Sequence, residues 1–174
     1  MNNTLRYILL KPLSMLYGIG VDIRNKLFDL GIYRSSKSVI TTISIGNITV
    51  GGTGKTPHAE YLLSYLSNKI STAYLSRGYK RSTHNFRLAD KHSNASTIGD
   101  EAYQIKRKYP NTIVAVDKNR HHALKKLNNL KNPPKVVILD DAYQHRELHP
   151  DLNILLIDYN RLTYHDSMLP LGEL

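Results

Sequence analysis

The sequence contains no cysteine. It can therefore form neither a disulfide nor a cysteine-ligated zinc site, which is compatible with a reducing cytosol. It also lacks an uninterrupted apolar run of about 18 residues, the length that a membrane-spanning helix requires. The N-terminus has no apolar core followed by a small-residue cleavage site, so we expect no secretory signal peptide.

Acidic residues are few: the chain has 14 Asp and Glu against 24 Lys and Arg, a formal net charge of +10. This balance favours anionic partners, and nucleotide phosphates, nucleic acid and acidic lipid headgroups all fit it. The 174 residues correspond to one domain, or to one domain with a short appendage. An apolar fraction of 41% is enough to form a sizeable core.

A glycine-rich stretch carries the clearest chemical signal. The β-branched run Val39–Gly46 predicts a strand, residues 47–54 a loop and Lys55–Ser67 a helix, which is the order of a phosphate-binding loop. Glycines let backbone N–H groups surround phosphate oxygens, and the helix start adds partial positive charge. We therefore expect Lys55 to reach the β- and γ-phosphates and Thr56 to bind Mg²⁺. The predicted nucleotide contacts are Thr49, Val50, Gly51, Gly52, Thr53, Gly54, Lys55 and Thr56, with Thr49 standing where the general pattern has glycine.

Strands and helices alternate along the rest of the chain. Their order predicts an α/β fold, a mostly parallel sheet with helices on both faces. The polar stretch 84–94 is expected to form a loop or a short hairpin. Further strands are predicted at residues 70–76, 112–116, 135–141 and 151–158, and further helices at 100–109 and 120–130.

Charged residues follow several of these strands. Asp140 and Asp141 end an apolar strand, where a phosphate-loop protein holds its Mg²⁺. Arg77 follows the second strand, at the edge where doubly wound sheets bind ligands, and fits either an anion-binding residue or a solvated basic turn. Asp100 opens a helix beside another acid, where it either complements the helix dipole or acts as a general base, and position alone favours the dipole.

Residues 1–38 precede the first strand and combine apolar residues at helical spacing with interleaved lysines and arginines. A basic amphipathic helix of this kind lies in a membrane interface or packs as an ordinary helix on the domain edge, and the pattern fits both equally. Pro12 is expected to break or to start a helix.

Together the motifs closely resemble the tetraacyldisaccharide 4′-kinase family, the lipid A 4′-kinases of Gram-negative bacteria. The matching blocks occur in the family's order and are Ser44 to Pro57, Ser76-Arg77-Gly78-Tyr79, Gly99-Asp100-Glu101 and Asp140-Asp141-Ala142-Tyr143-Gln144-His145. Thr49 agrees with this family's version of the loop, whereas Ala142 stands where members commonly have glycine. The resemblance implies a P-loop NTPase-like fold and transfer of the γ-phosphate of ATP, with Mg²⁺, to the 4′-hydroxyl of tetraacyldisaccharide 1-phosphate.

The resemblance also implies roles for individual residues. Lys55 and Thr56 match phosphate and Mg²⁺ ligands, and Asp140 and Asp141 match the acids beside the metal. Asp100 matches the proposed base, so we expect catalysis to involve Asp100, Lys55 and Asp141. The residues expected around the phosphates and the acceptor are Arg77, Arg120, Gln144 and His145.

The resemblance further implies a peripheral enzyme on the cytoplasmic face of the inner membrane, which binds a lipid A disaccharide precursor and an anionic membrane surface but no nucleic acid. Residues 1–38 would form a membrane-associating segment and 39–174 the N-terminal lobe of the kinase. Family members carry a further C-terminal lobe, and a histidine of that lobe is thought to partner the base.

Two other classes remain as alternatives. A P-loop ATPase or GTPase would hydrolyse nucleotide without a lipid acceptor, but the chain has no Asn-Lys-x-Asp guanine motif. The net charge of +10 permits a nucleic-acid-binding domain, but no recognition motif is present and the tyrosines are dispersed. The lobe could also be inactive by itself.

Overall fold

The computed structural model of the protein describes residues 3–48, 53–143, 145–159 and 168–172. Its helices are α1 (Asn3–Asp29), α2 (Lys55–Leu66), α3 (Ala95–Ile98), α4 (Asp100–Lys108) and α5 (Arg120–Asn128). Its strands are β1 (Thr41–Asn47), β2 (Thr72–Ser76), β3 (Arg87–Leu88), β4 (Ile113–Val116), β5 (Val136–Asp140) and β6 (Leu152–Leu156).

The strands form a six-stranded sheet in the order β3-β4-β2-β5-β1-β6. The β1, β2, β4, β5 and β6 pairings are parallel, and β3 pairs antiparallel with β4. The prediction of a mostly parallel sheet is therefore confirmed. The hairpin predicted as an alternative within 84–94 is wrong, because β3 finds its partner in the later strand β4.

Helices cover both faces of the sheet, as predicted. On one face, α5 contributes Ala123, Leu124 and Leu127 to a core with alternate residues of β2 and β5. On the other face, α2 and α4 contribute Leu63 and Ile105, both fully buried. Each such side chain contributes about 1.5–3 kcal/mol by leaving water.

The parallel pairing brings the carboxyl ends of five strands to one edge of the sheet. The last residues of β1, β2, β4, β5 and β6 are Asn47, Ser76, Val116, Asp140 and Leu156. Helices α2 and α5 begin after the loops that follow β1 and β4, so their N-termini lie at this edge. Helix α4 follows β3 and α3, and its start lies against the turn after β2. Every described candidate site residue lies at these strand ends or helix starts, or in the turn that follows β5.

Helix α1 runs without interruption through Pro12, so the predicted break is wrong. Proline lacks the N–H that would donate to the carbonyl of Ile8. The ring lies on an exposed part of a long helix, which tolerates the loss of this bond.

Most large apolar side chains of α1 are exposed. Its less exposed described positions recur along one stripe that mixes small or polar residues with apolar ones, and Ser14 on this stripe donates a hydrogen bond to the Met168 carbonyl at 2.6 Å. The stripe consists of Leu10, Ser14, Gly18, Val21, Asn25, Leu27 and Phe28. By contrast Ile8, Leu9, Leu13, Met15, Leu16, Ile19 and Ile23 are all exposed. No helix among the described residues is long and apolar enough to cross a membrane.

Candidate functional site

The first residue of α2 connects three elements at the carboxyl edge of the sheet. The Lys55 ammonium donates to Oδ1 of Asn47 at 2.7 Å, and its Nζ lies 3.3 Å from Oδ1 of Asp141. The Lys55 ammonium thereby links the start of α2 to the end of β1 and to the residue that follows β5. The adjoining loop residues Thr49, Val50, Gly51 and Gly52 lie outside the described residues.

The two adjacent acids after β5 occupy different environments. Asp140 is buried, and its Oδ2 accepts a hydrogen bond from the hydroxyl of Tyr74. Its Oδ1 is buried without a hydrogen-bond partner among the described residues. Burial raises the pKa of Asp140, and the hydrogen bond from Tyr74 opposes that effect. Asp141 is exposed, and its backbone has a φ of 52°.

These groups fit the Mg²⁺ that the sequence predicts. Mg²⁺ prefers oxygen ligands and usually binds through one or two carboxylates together with substrate phosphates and water. Asp140 offers a free buried oxygen, Asp141 an exposed carboxylate and Thr56 a hydroxyl one residue into α2. No three or more His, Asp or Glu side chains of the described residues are grouped so that they could hold a metal. Two carboxylates and a hydroxyl leave room for phosphate and water among the ligands of such a cation.

Arg120 ties the ends of two strands together. It is buried at the start of α5, and it donates to the carbonyls of Asp117 at 2.6 Å and Asp140 at 2.9 Å. Both terminal nitrogens of the guanidinium therefore have backbone partners, whereas its Nε has none among the described residues. Its positive charge stays next to the acidic pair, and its hydrogen bonds fix the position of Asp140.

Two further predicted site residues, Arg77 and His145, lie near the positive charge of Arg120. Arg77 is exposed after β2, and His145 is half-buried in the turn after β5. Burial lowers the pKa of His145, and the charges of Arg120 and Arg77 lower it further. The imidazole is therefore neutral at pH 7 and can donate or accept a hydrogen bond. Gln144 lies outside the described residues.

A glycine brings the start of α4 against the turn after β2. Gly99 has a φ of +87°, and an added Cβ would lie 2.9 Å from the Tyr79 carbonyl oxygen and 3.1 Å from Cα of Gly78. Only glycine allows both this conformation and this approach. Asp100 follows directly, exposed, and shares a cavity of about 60 Å³ with Ser76 and Tyr79. The predicted base thus lies at the same sheet edge as Arg77.

Glu101 joins the acidic group, although sequence reasoning did not select it as a site residue. Burial raises its pKa, and the charges of Asp140 and Asp141 raise it further. Its only signal in the sequence was its place in the Gly99-Asp100-Glu101 block. Asn47 and Tyr74 were also missed. Asn47 stands directly after the predicted strand, as the first residue of the predicted loop, and Tyr74 lies inside an apolar strand, where a tyrosine is typical of the core.

Comparison with known proteins gives a consistent result. The model of the LpxK family, described as tetraacyldisaccharide-1-P 4′-kinase, matches residues 6–174. A tetraacyldisaccharide 4′-kinase of Phocaeicola vulgatus is 52% identical over 167 residues, covering 95% of this chain and 46% of that protein. The corresponding protein of Flavobacterium johnsoniae is 49% identical over 172 residues, covering 99% of this chain and 50% of that protein.

A solved structure shares the fold. The crystal structure of "apo" form LpxK from Aquifex aeolicus in complex with ATP superposes with a TM-score of 0.87 at 36% sequence identity. The match covers 98% of this chain and 54% of that chain. The P-loop NTPase-like fold is thereby confirmed. The chain spans about half the length of the curated relatives it matches.

Proposed function

Because the chain belongs to the LpxK family of tetraacyldisaccharide-1-P 4′-kinases, we propose that it binds Mg·ATP and transfers the γ-phosphate to the 4′-hydroxyl of tetraacyldisaccharide 1-phosphate. The observation that carries this proposal is the contact of Lys55 with Asn47 and Asp141 beside a buried carboxylate with a free oxygen. This constellation lies next to the N-terminus of α2, where phosphates bind.

Different residues of the site bind the phosphates of ATP and its Mg²⁺. Lys55 neutralises the β- and γ-phosphates, and its tether to Asn47 keeps the ammonium in place. Asp140, Asp141 and Thr56 supply oxygen ligands for Mg²⁺. When bound, that cation neutralises charge on the phosphates as the transfer proceeds. Phosphoryl transfer depends mainly on such positioning and neutralisation, which suits a site built from fixed strand ends.

The transfer step requires a base for the acceptor hydroxyl. The 4′-oxygen forms a bond to the γ-phosphorus while the bond from that phosphorus to the β–γ bridging oxygen breaks, and ADP leaves. The proton of the hydroxyl passes to the carboxylate of Asp100. The exposed position of Asp100 at the same sheet edge as Lys55 supports this role.

We assign the cationic side of the edge to the acceptor and the transferred phosphate. Arg77 is exposed there, and the neutral His145 offers a hydrogen bond. Arg120 contributes its charge from a buried position while holding Asp140 and Asp117. Gln144 stays a prediction from the resemblance.

We also assign residues 1–38 to membrane association and 39–174 to the nucleotide-binding lobe. The exposed apolar side chains of α1 and the basic residues between them suit the interface of an anionic membrane. Each well-placed cation contributes roughly 1 kcal/mol there. We propose that this attachment is peripheral and lies on the cytoplasmic face of the inner membrane, as the resemblance to the family implies.

The test is transfer of ³²P from γ-labelled ATP to tetraacyldisaccharide 1-phosphate in detergent micelles. We expect lipid product from the chain, with the Phocaeicola vulgatus relative assayed as reference. Asp100→Asn should bind ATP normally and lose transfer, while Asp90→Asn in a loop outside the site should keep both. ATP hydrolysis without lipid product would favour an ATPase instead. Product from the relative alone would show that this chain is an inactive lobe.

A further inference from the structure

A tyrosine in the middle of the sheet reaches the acidic pair from inside the core. Tyr74 belongs to β2 and is fully buried. In the parallel register it is level with Ile138, two residues before Asp140 on the neighbouring strand. Two residues of a strand advance about 6.6 Å, a separation that a tyrosine and an aspartate side chain leaning toward each other can bridge. The Tyr74 hydroxyl accordingly donates to Oδ2 of Asp140.

This contact leaves the two carboxylate oxygens of Asp140 unequal. Oδ2 is held by Tyr74, whereas Oδ1 is buried without a partner among the described residues. The backbone is fixed as well, because the carbonyl of Asp140 accepts from Arg120 at 2.9 Å. A buried acceptor without a partner is costly unless a ligand or water satisfies it. Oδ1 is therefore the oxygen that remains for a cation or its bound water.

We propose that Tyr74 is a positioning residue for the metal site: its hydroxyl fixes the Asp140 carboxylate so that Oδ1 faces the Mg²⁺ of bound nucleotide. This inference rests on the proposed function, since it needs a Mg·ATP site. Groups that hydrogen-bond to metal ligands typically change metal affinity about 10- to 100-fold when removed. Tyr74 acts on the metal only through Asp140. Its loss should therefore change the Mg²⁺ concentration that binding requires, and not the affinity for nucleotide in the absence of metal.

A merely structural hydrogen bond would behave differently. Phenylalanine preserves the ring packing against the core and removes only the hydroxyl. If that hydroxyl served stability alone, Tyr74→Phe would lower the melting temperature and leave Mg²⁺ dependence unchanged. The two roles are therefore separated by measuring thermal melting and Mg²⁺ dependence on the same variants.

The experiment titrates the fluorescent nucleotide mant-ATP into the whole chain, first in EDTA and then at increasing MgCl₂. For Tyr74→Phe we expect an unchanged Kd in EDTA and a half-saturating Mg²⁺ concentration raised about 10-fold. Tyr109→Phe is the matched control, because it removes a tyrosine hydroxyl that donates to the Glu60 carbonyl at 3.1 Å, away from the site. We expect it to keep the Mg²⁺ dependence of the unaltered chain.

A double variant tests whether Tyr74 acts on the metal through Asp140. If Tyr74 acts through Asp140, adding Tyr74→Phe to Asp140→Asn should produce no further change in half-saturating Mg²⁺. An unchanged Mg²⁺ dependence in Tyr74→Phe, or additive effects in the double variant, would overturn the inference and leave the proposed function standing. Failure of the unaltered chain to bind mant-ATP with Mg²⁺ would overturn both.

Discussion

Lys55 Nζ lies 3.3 Å from Oδ1 of Asp141, so the lysine that is expected to hold the phosphates already has an anionic partner. The lysine is largely covered, whereas the carboxylate is exposed. An incoming triphosphate must therefore compete with Asp141 for the ammonium, and its own charge repels that carboxylate. A cation bound between carboxylate and phosphate would remove the conflict. We therefore expect the site to bind nucleotide together with metal better than nucleotide alone.

Asp141→Asn should tighten metal-free nucleotide binding. The change removes the competing charge, and we expect mant-ATP to bind roughly 3- to 10-fold more tightly in EDTA, about 0.7–1.4 kcal/mol. In Mg²⁺ the advantage should shrink or reverse because a ligand is lost. Asparagine tolerates the φ of 52° at this position, so the variant should fold. Asp22→Asn on α1 is the control, and weaker binding by Asp141→Asn in EDTA would contradict the account.

Gly46→Ala should destabilise the fold around the site. A Cβ at Gly46 would clash with Cβ of Tyr143 and lie 3.0 Å from its backbone nitrogen, so β1 and the turn after Asp141 would have to separate. We expect a loss of about 1–3 kcal/mol in the free energy of unfolding, measured by urea denaturation. Gly20→Ala meets no atom within 4 Å in α1 and should gain up to about 1 kcal/mol. Equal stability of the two variants would refute this packing.

Glu101→Gln should stabilise the chain at neutral pH. Burial and the charges of Asp140 and Asp141 raise the pKa of Glu101, so the folded state holds its proton more tightly than the unfolded state. The folded state therefore loses stability as the pH rises through the raised pKa of Glu101 and its side chain becomes charged. Glutamine cannot become charged, so the variant avoids this loss. We expect a higher Tm than the unaltered chain at pH 7 and a vanishing difference near pH 4.

Glu60→Gln is the control for the Glu101 experiment, because its expected effect on Tm has the opposite sign. The hydrogen bond from Lys108 lowers the pKa of Glu60, so its charged form is favoured in the folded state. The substitution should lower the Tm at pH 7, and the effect should fade as the pH falls below the ordinary range of a glutamate. The same sign for both variants would contradict the charge arrangement described for Glu101.

Arg146→Met should loosen α1 from the turn that carries His145. The guanidinium donates to Asp29 Oδ1 at 2.6 Å and to the Asn25 carbonyl at 3.2 Å, and it lies over the ring of Phe28 at 5.4 Å. These contacts are partly exposed, so we expect a loss of only about 1 kcal/mol by urea denaturation. Lys37→Met on the exposed linker after α1 should change stability little, and an unaffected Arg146→Met would contradict this role for Arg146.

The local elements of the site were predictable from the sequence. The β-branched run before Gly46, the glycines around Gly54 and the helical pattern after Lys55 agree with one another, so β1 and α2 were placed to within about two residues. The apolar run ending in Asp140 likewise identified β5 and its acids. Pro12 misled the prediction for α1, because the rule against proline in helices holds less strongly at an exposed position.

The contacts between distant residues were not predictable. Tyr74 and Asp140 are separated by 66 positions and meet only because β2 and β5 are neighbours in a particular register. The hydrophobic pattern of each strand does not predict which strands are neighbours in the sheet. Glu101 was overlooked for a similar reason, because its raised pKa depends on its burial and on the acids at the end of β5. Sequence patterns locate groups at an edge, and the sheet decides which of them touch.

The measurement that tests the central claim most directly is Mg·ATP binding by isothermal titration calorimetry, with the unaltered chain, Lys55→Ala and Lys69→Ala compared. Lys69 lies over the ring of Tyr65 beyond the far end of α2, and its loss should leave the affinity unchanged. We predict saturable binding by the unaltered chain and a loss of at least about 10-fold, or 1.4 kcal/mol, in Lys55→Ala. Equal affinities for the unaltered chain and Lys55→Ala would contradict a phosphate site at the start of α2.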